Sequence, residues 1–104
     1  MKEHLLYVIW WILALFDQGK DLEVRPETRR TAQVKKGDTV IFNNHVRRRV
    51  NDIRIYPNFE TVLRRENALR IVPGKTAEEI LAGLRKMYPN NQRRILVFEL
   101  TRTE

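Results

Sequence analysis

The chain has 104 residues, of which 42% are hydrophobic, and it carries a formal net charge of +7. This length and hydrophobic content are typical of one folded domain over residues 1–104 and exclude a disordered chain. Cysteine is absent, which excludes disulfides, thiolate metal sites and cysteine nucleophiles. Because His4 and His45 are the only histidines, we expect no histidine-built metal site, and we predict no cofactor.

The positive charge is carried mostly by arginine and favours polyanionic partners, namely nucleic acid, nucleotides or an anionic surface. An arginine-rich surface of ion pairs is the alternative, since such networks are common where high temperature rewards them. Composition leaves both interpretations open, and it says nothing about the oligomeric state.

An apolar run at residues 5–16 resembles a membrane element but is only twelve residues long. A helix needs roughly 20 apolar residues to span a bilayer. Glu3 lies where a signal peptide would be basic, and no small-x-small cleavage site follows Phe16. We therefore predict a soluble, cytoplasmic protein with no membrane partner, in which this run is a buried strand followed by a helix.

The first two predicted elements come from this run. Residues 4–8 predict a central strand, and residues 9–18 predict a helix with Trp11, Ile12 and Leu15 on its inner face. Aromatic rings at helical spacing usually pack, so we expect both tryptophans in the core or in a pocket wall.

The sequence GKDLEVR, at residues 19–25, follows the predicted helix. Gly19 predicts the helix end, because a C′ residue usually adopts the left-handed conformation that glycine reaches without penalty. Residues 22–25 predict a short strand, in which Leu22 and Val24 point into the core.

The same strand alternation places Glu23 and Arg25 on one face, with Lys20 close by in the preceding turn. A carboxylate, a guanidinium and an ammonium together can recognise a polar ligand or activate one. A solvated ion-pair network has the same residue pattern.

Basic residues are concentrated in two further segments. The polar loop at residues 26–31 brings Arg29 and Arg30 near Arg25, as the first candidate phosphate contact. Arg47 and Arg49 share a face of the strand predicted at residues 45–56, where charges that protect an edge strand explain them as well as RNA binding does.

Turn and cap signals organise the remaining chain. Gly37-Asp38 leads into a strand at Thr39–Phe42, Asn43-Asn44 predicts a hairpin turn, and the apolar phase predicts a bulge near Asn51-Asp52. Helices are predicted from the Asn58 N-cap to about residue 67 and from the Thr76-x-x-Glu79 capping box to just before Pro89. Residues 95–100 predict a buried last strand.

This element order predicts an α+β fold, a small mixed β-barrel with two to three helices packed outside. Glu66 lies in the helix predicted after Asn58, one turn beyond Val62 and Leu63, near the boundary of the inward face. Such an acid more often caps a helix or pairs with Arg65 or Arg70.

The chain resembles the ASCH family, which is related to the PUA fold, from about residue 11 to residue 100. The resemblance is carried by the order and spacing of GKDLEVR, Gly37-Asp38, Val40-Ile41-Phe42, Ile53-Arg54-Ile55-Tyr56, Phe59, Leu63, Glu66, Val72-Pro73-Gly74, Glu78-Glu79 and Tyr88. It implies a PUA-like barrel with a ligand cleft between the barrel and the first helix, lined by the lysine and the Glu-x-Arg pair. It also implies RNA, a modified nucleoside or a nucleotide as the ligand.

Some members of the family resemble small amidohydrolases that remove an acyl group from a cytidine base. Their lysine, threonine and glutamate correspond to Lys20, Glu23 and Glu66, so a glutamate replaces the hydroxyl nucleophile here. Aligned on Glu-x-Arg, Gly19 also replaces a usual lysine and Asp21 a usual threonine.

Two function hypotheses follow. In the first, an RNA- or nucleotide-binding domain uses a ligand-contacting set of Trp11, Lys20, Glu23, Arg25, Arg29, Arg30, Lys36, Arg47, Arg49 and Tyr56, with Trp11 and Tyr56 as stacking platforms. In the second, the protein is a hydrolase of N-acylcytidine or RNA that uses Lys20 and Glu66, with Glu23 beside them.

Overall fold

The computed structural model describes residues 1–103, which form an α+β fold around a five-stranded mixed sheet. The strands are β1 Glu3–Leu6, β2 Leu22–Pro26, β3 Thr39–Phe42, β4 Val46–Tyr56 and β5 Ile95–Arg102. The α-helices are α1 Phe59–Arg65, α2 Ala68–Ile71 and α3 Ala77–Met87, and two 3₁₀ helices span Trp10–Asp17 and Thr31–Gln33. No helix within residues 1–103 is long and apolar enough to cross a membrane.

The sheet is open, which corrects the predicted closed barrel. Its strand order is β1-β3-β4-β5-β2, with β1 parallel to β3 and all other pairs antiparallel. Strand β1 is therefore an edge strand rather than the predicted central one. In place of strand pairing between the two edges, the Arg25 guanidinium of β2 donates a hydrogen bond to the Tyr7 carbonyl just after β1, at 2.7 Å.

Each face of the sheet carries its own hydrophobic core. One face packs against the Trp10–Asp17 helix and is called the 3₁₀ face; the other packs against α1–α3 and is called the helical face. Strand β5 serves both, because Phe98 lies in the first core and Ile95 and Val97 lie in the second. A strand buried on both faces reads as a continuous apolar run, as predicted for residues 95–100.

Two local predictions are confirmed, one in the turn between β3 and β4 and one within β4. Asn43 and Asn44 have φ angles of 54° and 56°, the left-handed pair that a two-residue type I′ turn requires. The pairing of β4 with β5 shifts register between Val50 and Asp52, which is the predicted bulge. Because of this bulge, Val50 and Ile53 both face the 3₁₀ core.

The helix at residues 9–18 differs from its prediction in its winding. It forms a 3₁₀ helix, whose three residues per turn place Leu13 and Phe16 on the core. Ile12 also packs there, but Trp11 is 39% exposed and was predicted wrongly as an inner residue. The helix predicted at residues 59–67 ends at Arg65, because Asn67 caps the separate helix α2.

Edge strand β1 is held in place by the Asp38 carboxylate. Asp38 accepts hydrogen bonds from His4 Nε2 at 2.8 Å, from the Lys35 backbone N–H at 3.0 Å and from the Lys2 backbone N–H at 3.2 Å. The hydrogen bond from His4, followed by that from Lys35, lowers the pKa of Asp38 to about 2 from 3.8. The ionised carboxylate is therefore the form that the fold requires.

We expect this carboxylate to make the stability depend on acid pH. Because its folded pKa lies below its unfolded value, its contribution is complete above pH 3.8 and is lost as the pH falls through about 2. Urea midpoints measured across this window should fall more steeply for the wild type than for Asp38→Asn, which should be less stable at neutral pH. Parallel curves for the two proteins would contradict this assignment.

Candidate ligand-binding site

The turn before β2 directs the Lys20 side chain into the protein interior. Gly19 has φ +110°, as its predicted role at the helix end requires. The Lys20 backbone N–H then donates to the Leu15 carbonyl at 2.9 Å, so the lysine side chain enters the space between the 3₁₀ helix and α2. Lys20 is only 4% exposed.

All three donors of the Lys20 ammonium are used inside the protein. Nζ donates to the Leu22 carbonyl at 2.7 Å and the Ile71 carbonyl at 2.8 Å, and it lies 3.1 Å from Glu23 Oε1. An ammonium has three N–H groups and no acceptor. Lys20 therefore joins β2 to the end of α2 and has no N–H left for a ligand.

Glu23 lies between the two cations and is itself buried. Its Oε2 accepts a hydrogen bond from Arg25 Nε at 2.7 Å. Burial raises the pKa of Glu23, but the charges of Lys20 and Arg25 outweigh this effect and hold the pKa below its ordinary value. The structure thus brings Lys20, Glu23 and Arg25 together on the 3₁₀ side, as one chain of buried ions.

Arg25 alone of the three reaches a cleft. Its side chain is partly exposed and lines a cavity of about 360 Å³ between the end of β1 and the loop after β2. We call this cavity the arginine cleft. Its polar and aromatic lining is formed by Arg25, Arg30, Arg93, Tyr7, Tyr88, Asn91, Thr28 and Thr31. No acidic residue is among the described residues that line it.

Local structure places the other two arginines in this cleft. Thr28 and Thr31 each donate a backbone N–H to the hydroxyl of the other, at 2.8 and 3.1 Å, which fixes the loop that presents Arg30. Arg93 donates to the Glu27 backbone carbonyl at 3.2 Å. Within residues 1–103, neither Arg30 nor Arg93 forms an ion pair with a carboxylate.

A second cavity, of about 570 Å³, lies between the first 3₁₀ helix and the β3–β4 hairpin. We call it the tryptophan groove. It is lined by Trp10, Trp11, Leu13, Ala14, Asp17 and residues 45–48. Trp10 is 78% exposed, and the Lys75 ammonium lies 5.8 Å from the Trp11 ring centre.

Glu66 lies on the opposite face of the sheet from Glu23. Val24, Val97 and Arg54 are neighbours across three strands, so the Arg54 side chain lies on the helical face. Arg54 Nε and Nη2 donate to the two Glu66 oxygens at 2.6 and 2.9 Å. The structure therefore does not bring Glu66 into the cluster of Lys20 and Glu23.

Both oxygens of the Glu66 carboxylate accept hydrogen bonds from the protein. Besides the two bonds from Arg54, it accepts one from the Tyr56 hydroxyl at 2.5 Å. The hydrogen bonds from Arg54 lower its pKa against the opposing effect of burial. Burial and the bond to Glu66 in turn raise the pKa of Tyr56. Tyr56, predicted as a stacking residue, belongs to this network on the helical face.

The rest of the predicted binding set is divided. Arg25 and Arg30 line the arginine cleft, whereas Trp11 and Arg47 line the tryptophan groove. The predicted residues that line neither cavity are Lys20, Glu23, Arg29, Lys36, Arg49 and Tyr56.

Sequence reasoning did not single out Tyr7, Tyr88 or Arg93, which line the arginine cleft. Tyr7 lies in the run that was interpreted as buried, and Arg93 is far along the chain from GKDLEVR. Trp10 and Trp11 lie in the wall of the tryptophan groove, which is one of the two places expected of them.

Comparison with known proteins gives structural matches only. No family model and no curated protein matches the chain by sequence. The crystal structure of hypothetical protein PH0355 is 26% identical with a TM-score of 0.86, over 96% of this chain and 97% of that one. The solution structure of protein PF0455 from Pyrococcus furiosus is also 26% identical, with a TM-score of 0.81 and 98% of each chain covered.

The buried ion chain predicts a large stability effect at Glu23. In Glu23→Gln, the buried Lys20 ammonium loses its compensating charge, so unfolding free energy should fall by about 3 kcal/mol or more. Urea denaturation measures this loss. Glu3→Gln is the matched control, because Glu3 forms an exposed pair with Arg47 that is worth at most about 1 kcal/mol. Equal losses for the two variants would contradict the role of Glu23.

Proposed function

We propose that this protein binds RNA, or a nucleotide, through phosphate contacts in the arginine cleft. The observation that carries the proposal is the lining of the cleft: three guanidinium groups from separate parts of the chain and no carboxylate among the described lining residues. Guanidinium groups match phosphate geometry with paired N–H donors. Arg25 is also held in position, by Glu23 and the Tyr7 carbonyl, before any ligand arrives.

Two aromatic rings in the cleft support a ligand that carries bases. Tyr7 is 57% exposed, and Tyr88 packs its ring on Phe59 while lining the cavity. Aromatic side chains provide stacking surfaces for unpaired bases with little dependence on sequence. The net charge of +7 would add a nonspecific, salt-dependent attraction for the phosphate backbone.

The resemblance to the ASCH family is part of the proposal. We propose that the open sheet is PUA-like, with the Arg25 bond to Tyr7 taking the place of direct pairing between the edge strands. Support comes from GKDLEVR, whose arginine lines the cleft while its lysine and glutamate hold that arginine from behind.

We do not propose the hydrolase alternative. It requires Lys20 and Glu66 to reach one bound ligand, but Lys20 pairs with Glu23 on the 3₁₀ face, whereas Glu66 pairs with Arg54 on the helical face. Protein partners also use all three N–H groups of Lys20 and both oxygens of Glu66. A binding function needs neither of them to be free.

The proposal predicts a salt-dependent loss when the cleft arginines are reversed. Arg30→Glu with Arg93→Glu should weaken binding of a labelled single-stranded RNA of mixed sequence. The plot of log affinity against log salt concentration should lose about one unit of slope for each arginine that contacts phosphate. Fluorescence anisotropy over a range of salt concentrations gives both quantities.

The matched control is Arg64→Glu with Arg65→Glu. These exposed arginines end helix α1, outside both cavities, and their reversal changes the net charge by the same amount. Affinity and salt slope should stay closer to wild type in this variant. If both double variants lose affinity equally, charge alone is responsible and the cleft is not the binding site.

A further inference from the structure

The short segment at residues 7–10 joins the rims of the two cavities. The Arg25 guanidinium donates to the Tyr7 carbonyl at 2.7 Å. The Asn43 side chain accepts from the Val8 N–H at 2.8 Å and donates to the Val8 carbonyl at 2.9 Å. Side-chain hydrogen bonds thus fix the segment at Tyr7 and Val8.

The segment from Tyr7 to Trp10 is short enough for one ligand to reach both cavities. Tyr7 lines the arginine cleft, and Trp10 lines the tryptophan groove. Three residues of fully extended chain span at most about 11 Å, so the Cα atoms of Tyr7 and Trp10 are no farther apart than that. A chain of a few nucleotides is longer than this span.

The aromatic rings of Tyr7 and Trp10, at the two ends of this segment, are exposed to solvent. Tyr7 and Trp10 are among the most exposed large hydrophobic side chains of the described chain, and Ile9 between them is also exposed. A scattered exposed ring needs no explanation, but contiguous exposed aromatics beside a cavity mark an interaction surface. Each of the two rings lies beside arginines that line the same cavity.

The two arginines of the tryptophan groove are held differently. Arg47 is half exposed and forms a surface ion pair with Glu3, which is also more than half exposed. Such pairs are worth at most about 1 kcal/mol, so a phosphate can replace Glu3 at Arg47 at little cost. Arg48 is largely buried, donates to the Arg47 and Phe16 carbonyls, and lies 3.9 Å from Asp17, which also lines the groove.

We propose that the arginine cleft and the tryptophan groove together form one track for single-stranded nucleic acid. Phosphates of one end contact Arg25, Arg30 and Arg93, and an unpaired base farther along the strand stacks on Trp10. The inference rests on the proposed function, because it needs the arginine cleft to hold phosphate. It adds a second site and selects an unpaired strand, because bases in a duplex present no free ring face.

Trp10→Ala tests the second site. Stacking on an aromatic ring contributes enough that affinity for a labelled oligouridylate of roughly eight nucleotides should fall about 5-fold or more. The salt slope should not change, because no charge is removed. Trp10→Phe keeps a stacking ring and should retain most of the affinity. Fluorescence anisotropy measures each value, and circular dichroism confirms that the exposed position tolerates the change.

Three comparisons sharpen this test. Leu69→Ala removes another exposed apolar side chain, from helix α2 outside both cavities, and should bind like wild type. Uridine monophosphate should bind the arginine cleft without shifting the Trp10 indole N–H resonance, whereas the oligouridylate should shift it. A DNA oligothymidylate of the same length separates a general single-strand track from one restricted to RNA, and a duplex of that length should bind more weakly and without sensitivity to Trp10→Ala.

The outcomes separate this inference from the function on which it rests. If Trp10→Ala binds the oligouridylate like wild type while the Arg30→Glu, Arg93→Glu variant does not, the track is wrong and the phosphate cleft stands. If neither variant loses affinity, both proposals fail. Duplex binding as tight as single-strand binding also overturns the track.

Discussion

The buried chain of charges from Lys20 through Glu23 to Arg25 is the interaction on which the candidate site depends. Moving ions out of water costs several kcal/mol each, so these three buried charges are tolerated only because each has a close partner. The ammonium uses all its donors, and the carboxylate lies between two cations. Its last member, Arg25, crosses to the Tyr7 carbonyl and reaches the solvent-facing cleft. The buried ions thus orient one partly exposed guanidinium.

The two-faced sheet explains why polar residues that look related in sequence have separate roles. Strand β5 is apolar on both faces, so a side chain on a neighbouring strand lies on the side of one core or the other. Glu23 neighbours Phe98, whereas Arg54 neighbours Val97, one position along. One residue of register therefore divides the ion chain of Lys20, Glu23 and Arg25 from a network that ties helix α1 to the sheet.

The arginines lie in two kinds of environment: some form ion pairs with carboxylates, and others have no carboxylate partner within residues 1–103. Arg54, Arg70, Arg85 and Arg94 form ion pairs with carboxylates, as expected of a surface rich in such pairs. Within the described residues, the cleft arginines Arg30 and Arg93 have no carboxylate partner. The excess positive charge is thus not spread evenly, and one place where it remains uncompensated is a concave surface with aromatic walls.

Local signals in the sequence determined much of the structure. The glycine at position 19, the Asn43-Asn44 turn, the bulge near Asp52 and the Thr76 capping box each form as predicted, because their physics is confined to a few neighbouring residues. Strand alternation places Glu23 and Arg25 on one face, as predicted, whereas the buried position of Lys20 also needs the Ile71 carbonyl from a distant segment. Tertiary structure decided the open sheet, the edge position of β1, the outward tryptophans and the face on which Glu66 lies. Those features depend on contacts between distant segments, and the cleft that joins Tyr7, Arg30 and Arg93 exists only once those segments meet.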